Sequence, residues 1–157
     1  MHSAPDGLGN SLPPSPRPAG NYLSAVAARG VVRSAGMIPR VDGVLIISGR
    51  VGEDVDVAAA HAAAALSARN ALAAVSAAVG GLAHIGVVLQ LRVFVRCTAD
   101  FTDVSAVAEG ASQALVDVLG DRRGCGARTA VGVLSLPGGS PVEVELVASY
   151  IETSSPA

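Results

Sequence analysis

The residues whose types and spacing could do chemistry gather toward the C-terminal end of the chain. Residues 126–137 read G-A-R-T-A-V-G-V-L-S-L-P, and V-E-V-E follows at 142–145. Alternate side chains of a strand share a face. Arg128 therefore shares one with Ala130 and Gly132, while Thr129, Val131 and Val133 point the other way. An Arg rising among small neighbours has room beside it for a ligand, and its planar fork holds a carboxylate through two parallel hydrogen bonds. Glu143 and Glu145 share one face of the last run, opposite Val142, Val144 and Leu146. If the two runs are adjacent strands, Arg128 and a glutamate make an anion anchor plus a base. A structural salt bridge is the plain alternative, and the spacing does not say whether Glu143 or Glu145 would be nearer a ligand.

Other chemistry-bearing residues are scattered. The chain has no P-loop, no H-E-x-x-H and no Cys/His set with zinc spacing. His2 lies in the N-terminal stretch, His61 on an Ala-rich run and His84 in a turn, where solvent or ordinary packing accounts for them. Gly7-Leu8-Gly9 follows no strand pattern and carries no phosphate-binding reading. Cys97 and Cys125 are too few for a disulfide framework and read as reduced thiols of a cytoplasmic protein. Arg122 and Arg123 before Cys125 hint weakly at an activated thiol.

The elements that must position Arg128 and the glutamates follow from periodicity and punctuation. Residues 1–20 are rich in Pro, Gly and Ser, and L-P-P-S-P-R-P at 12–18 can form neither helix nor central strand. This segment is either a loose leader or an arm packed on the surface. A single domain is expected over 21–152, with a tail at 153–157. Residues 22–28 and 31–35 flank Arg29-Gly30 as a hairpin would. A strand is predicted at 44–48, and a helix at 55–79 capped by Asp54 and stopped by Gly80-Gly81. A period-two strand follows at 87–97, a helix from Asp100 or Asp103 to Leu119, and strands at 127–134 and 142–150. The fold class is α+β: one mixed sheet with both long helices on one face. The uncovered face should then be an apolar association surface, so a homo-oligomer is expected, with any cleft between subunits.

Composition sets the remaining bounds. The chain of 157 residues is 50% hydrophobic, 15% charged and 3% aromatic, with a net charge of -2. That excludes a disordered chain. All eleven basic residues are Arg, but neither a basic face nor stacking aromatics is evident, so no nucleic-acid partner is expected. The 55–79 run is interrupted by Asp56, His61, Arg69 and Asn70, so no membrane span and no membrane partner is expected.

In this arrangement the sequence resembles the RidA family, also called YjgF or L-PSP, of reactive intermediate deaminases, in a divergent bacterial branch. The resemblance runs from about residue 20 to 150. It is carried by Ala19-Gly20-Asn21-Tyr22, Ala35-Gly36-Met37-Ile38-Pro39, Val93-Phe94-Val95 leading to Asp100-Phe101, and Ala127-Arg128 spaced from Leu136-Pro137 and Val142-Glu143-Val144-Glu145. It implies a chorismate-mutase-like homotrimer with clefts between subunits and no cofactor or metal. The family's deaminases hydrolyse enamines and imines such as 2-aminoacrylate to 2-keto acids and ammonia. Arg128 matches the arginine that binds the substrate carboxylate, and Glu143 the glutamate that positions water. Tyr22 matches the tyrosine lining the cleft, and Gly36 the glycine whose backbone faces the substrate.

Three departures touch that cleft. The family's Ser-Gly-Gln is Ala35-Gly36-Met37 here, the Asn before Asp-Phe is Ala99, and a Cys two residues after the arginine is Ala130. Each removes a polar group, which points to a drier, wider pocket for a larger or more apolar acid. The expectation is a deaminase of small 2-imino acids. The alternative is a trimeric protein that binds a small carboxylate metabolite without turning it over. An endoribonuclease activity, a label some relatives carry, finds little support in the charge balance.

Overall fold

The computed structural model describes residues 11–152. His2, Gly7-Leu8-Gly9 and the tail at 153–157 lie outside the described residues. Strands β1 (Ala25–Ala28) and β2 (Val31–Ser34) form a hairpin. Its two connecting residues, Arg29 and Gly30, have φ of 52° and 74°, the left-handed pair that matches the twist of the flanking strands. Asp42-Gly43 repeats the device between the two-residue strands β3 (Arg40–Val41) and β4 (Val44–Leu45). The strand expected at 44–48 is thus only the second arm of a small hairpin standing off the main sheet.

Helix α1 (Val57–Val79) begins later than Asp54, because the Asp54 carboxylate instead accepts from the Arg50 N–H at 3.1 Å. Asp56 takes the cap, its Oδ1 accepting from Ala59 N at 2.7 Å. Strand β5 (Ile85–Arg96) is followed by α2 (Val104–Leu119), which ends at Gly120, and a four-residue α3 (Asp121–Gly124) that the sequence reading did not include. Strands β6 (Ala127–Val133) and β7 (Val142–Tyr150) complete the sheet, whose order is β1-β2-β7-β5-β6. Only β5 and β6 pair in parallel, with α2 as their crossover.

That order corrects one expectation. The strands bearing Arg128 and Glu143 are not adjacent; β5 runs between them, pairing β6 along one edge and β7 along the other. Leu91, Val93 and Val95 are buried beneath the helices, as are Val142, Val144 and Leu146. Arg128 pairs in register with Leu91, so it faces the helix layer. Glu143 pairs with Phe94 and faces the other side.

Both long helices do lie on one face, packed through small side chains. Ala60, Ala64, Ala68 and Ala71 of α1 are fully buried. Where α2 crosses α1, a Cβ on Gly110 would come within 2.8 Å of the His61 carbonyl carbon. By length and composition α1 could cross a bilayer, but 61% of its most apolar window is buried inside the protein. It is a core helix. The helix-free face differs from the apolar patch expected of it. Phe94 and Val131 are there, but Arg92, Arg96, Glu143 and Glu145 cross its middle, with Arg92 and Glu145 3.5 Å apart.

Gly110→Ala therefore forces the helices apart and should destabilise the protein by about 1–3 kcal/mol. Urea unfolding should give a lower midpoint at an unchanged slope. An unshifted midpoint would mean that the α1–α2 crossing is not tight.

Candidate functional site

The residues singled out from the sequence fall into three groups. Tyr22, Ala35, Gly36 and Glu143 lie together near the start of β1. Gly36 leads out of β2 into Met37, whose N–H and C=O exchange hydrogen bonds of 2.8 and 2.9 Å with Val144. This second pairing fixes the backbone next to Glu143. A side chain at 36 would push the Glu143 carboxylate aside: its Cβ would come within 2.7 Å of the Glu143 Cδ and closer still to Oε1. The glycine is thus required for close approach between backbone and carboxylate. Ala35 donates to Ser24 O at 2.8 Å, which continues the β1–β2 pairing, and packs against the core. Tyr22 is half exposed, and its hydroxyl accepts from Ala19 N at 3.1 Å.

Glu143 and Glu145 have the same residue type on the same strand face but different surroundings. Glu145 is paired with Arg92 at 3.5 Å. Glu143 has no ion pair or hydrogen bond among the described residues. Burial pushes its pKa above the ordinary carboxylate value, and the Glu145 charge adds to the shift.

Arg128 and Ala130 form the second group, on edge strand β6. The Arg128 Nη1 donates to Glu109 Oε2 at 2.7 Å and to Ser112 Oγ at 3.0 Å, both on α2. Neither partner was anticipated. A Glu and a Ser three positions apart on one helix face was the signal available, although their target was not. Glu109 is 60% exposed, and so open a pair contributes at most about 1 kcal/mol of stability. Its effect is to hold the guanidinium by one nitrogen. The described hydrogen bonds leave Nη2 and Nε without a partner. Ala130 lies two residues on, partly buried against the core.

Ala99 stands alone, exposed in the turn after β5. Within one protomer the groups stay apart. Arg128 and Glu143 are two strand intervals apart, roughly 10 Å, and three residues apart along the strands, about another 10 Å, and they lie on opposite faces. Among the described residues no three His, Cys, Asp or Glu side chains gather as a metal would require. Arg123 donates to three backbone carbonyls, those of Leu82, Ile85 and Gly86, rather than to exposed Cys125.

The sequence profile described as Endoribonuclease L-PSP matches residues 13–150. Protein TCP17 of Trypanosoma cruzi is 38% identical over 138 residues, covering 88% of this chain and 86% of its own. The crystal structure of Atu1372 from Agrobacterium tumefaciens, a protein of unknown function, superposes with a TM-score of 0.81 at 38% identity, over 85% of each chain. A Shewanella oneidensis protein with the provisional label of endoribonuclease superposes with a TM-score of 0.83 at 26% identity, over 88% of this chain and 91% of that one.

A carboxyl whose pKa is raised in the folded state adds stability at low pH and loses it as pH climbs through the raised value. Glu143→Gln removes that loss. The variant should melt above wild type at pH 8, and the difference should disappear below about pH 4. A melting difference independent of pH would place the Glu143 carboxylate in water.

Proposed function

The chain belongs to the Endoribonuclease L-PSP family, and from that membership and the geometry of Glu143 we propose that it is a RidA-like hydrolase of 2-imino acids and their enamine tautomers. The observation that carries this reading is a half-buried, unpaired carboxylate held against the bare backbone of Gly36. A base is most effective when its pKa lies near the working pH, and burial moves Glu143 in that direction.

The hydrolysis needs an anchor, a water and proton transfers. The Nη2–Nε edge of Arg128 holds the substrate carboxylate by two charge-assisted hydrogen bonds, while Glu109 and Ser112 fix the opposite nitrogen. Anchoring in one orientation converts much of the barrier into binding. Glu143 accepts a proton as water oxygen bonds to the imine carbon. That proton passes to nitrogen, giving a carbinolamine; the hydroxyl proton then follows it by way of Glu143, so that the C–N bond breaks, the oxygen closes to a carbonyl and ammonia leaves. Nothing is oxidised or reduced.

Arg128 lies on the sheet edge opposite the hairpin that leads to Gly36. A second copy of the chain therefore has to complete the site, Arg128 of one protomer meeting Tyr22, Gly36 and Glu143 of its neighbour. The homotrimer implied by the resemblance provides such a junction, and the helix-free face, with its mixed apolar and charged surface, is suited to line it. Two free thiols accord with a cytoplasmic setting. A second reading, carboxylate binding without turnover, draws on Ala35, Ala99 and Ala130, which bring no polar side chain to the junction.

An amino-acid oxidase supplies imines for the test. Wild type should speed their loss and sediment at three times the 15.5 kDa chain mass. Arg128→Ala should lower kcat/KM about 10–100-fold, from the loss of charge-assisted hydrogen bonds. Glu143→Gln should lower kcat about 10²–10⁴-fold with little change in KM. An active monomer, or full activity in both variants, overturns the proposal. Carboxylate binding that depends on Arg128, without imine loss, selects the second reading.

A further inference from the structure

Both hydrogens of one Arg128 nitrogen are already occupied. Nη1 carries two, and its two acceptors are Glu109 Oε2 at 2.7 Å and Ser112 Oγ at 3.0 Å. A carboxylate can take two parallel hydrogen bonds from a guanidinium at its Nη1–Nη2 end or at its Nη2–Nε side. With Nη1 filled, only the Nη2–Nε side is left for such a pair. Helix α2 thereby sets the direction from which an anion meets Arg128.

Neither acceptor is needed to seat the helix. Val107, Ala108, Ala111, Ala114 and Leu115 are buried, and Gly110 lies against α1. Glu109 and Ser112 stand beside that buried stripe, Glu109 well exposed. Strand β6 is the last of the sheet, so no further strand of the protomer steadies Arg128 from outside. What the two α2 side chains fix is the guanidinium.

Their contributions differ in kind. Ser112 brings an acceptor alone. Glu109 brings an acceptor and a full negative charge, which offsets the charge that attracts an anion. A ligand carboxylate on the far side of the fork lies about 7 Å from the Glu109 carboxylate, where like charges in watery surroundings weaken binding about threefold. A 2-imino acid and its 2-keto acid product present the same carboxylate, so a tighter grip there would hold the product as firmly as the substrate.

We infer that Glu109 is a positioning residue with two opposed effects on the anchor: as an acceptor it holds Arg128 for side-on capture of a carboxylate, and as a charge it loosens that capture so that product is not retained. This rests on Arg128 being the carboxylate anchor of the proposed function. It adds to the Arg–carboxylate contact a tuning group supplied by α2.

Calorimetric titration of pyruvate into the full-length protein at low salt separates the two effects. Glu109→Gln keeps an oxygen acceptor for Nη1 and removes the charge. It should bind pyruvate about threefold more tightly than wild type, and the gain should shrink in about 0.5 M NaCl, where screening is short-ranged. Glu109→Ala loses acceptor and charge together, and should bind at least threefold more weakly than Glu109→Gln. Asp117→Asn removes an α2 charge about two turns away, where Asp117 accepts from Gln113 at 2.8 Å, and should bind as wild type does. The KM for the alanine-derived imine should follow the same order. Four results would each overturn the inference: Glu109→Gln binding no more tightly than wild type, Gln and Ala variants binding alike, an equal gain in Asp117→Asn, or no pyruvate binding. Imine hydrolysis by wild type alongside any of them leaves the deaminase reading standing. The expected order of affinities without imine hydrolysis overturns that reading and retains the role of Glu109.

Discussion

Parallel pairing of β6 with β5 is the constraint from which the rest of the architecture follows. Parallel neighbours cannot be joined by a tight turn and need a crossover, and α2 supplies it. The crossover leaves β6 as an edge strand and brings Glu109 and Ser112 over Arg128. The same order puts the β1–β2 hairpin on the other edge. The anchor and the base that the proposed chemistry needs are thus separated within the fold. On the proposed function, assembly and catalysis become a single requirement.

Glu143 and Glu145 illustrate how surroundings divide labour between identical side chains. Glu145 meets Arg92 on the neighbouring strand. Glu143, two residues earlier, sits opposite Phe94 on the neighbouring strand and against the Gly36 backbone. Ionising it there is disfavoured by lost hydration and by the charge of its neighbour. The arrangement depends on a glycine at 36, since any other residue would displace the carboxylate.

Much of the fold was legible in the sequence because local signals are strong where one residue type is required. Arg29-Gly30 marked the hairpin, Gly80 and Gly120 ended the helices, and the alternation at 142–150 assigned each face of β7. Pairing is a different matter. Nothing local in 127–133 says which strand it joins, and its nearest strand in sequence, β7, was the wrong choice. The resemblance named Glu143 and Gly36, which the structure sets side by side. It did not reveal that Arg128 is held by α2, because that contact spans 16–19 residues and depends on how two helices cross. The arm was undecided for a similar reason, since prolines exclude helix without saying what an extended segment lies against.

The alanine stripe on α1 has a methodological corollary. Alanine scanning interrogates a core by truncation, and along Ala60, Ala64, Ala68 and Ala71 there is nothing left to truncate. Scanning would report this stripe as tolerant although it is tightly packed. Adding single methyl groups, Ala to Val one position at a time, is the perturbation that would make its spacing visible.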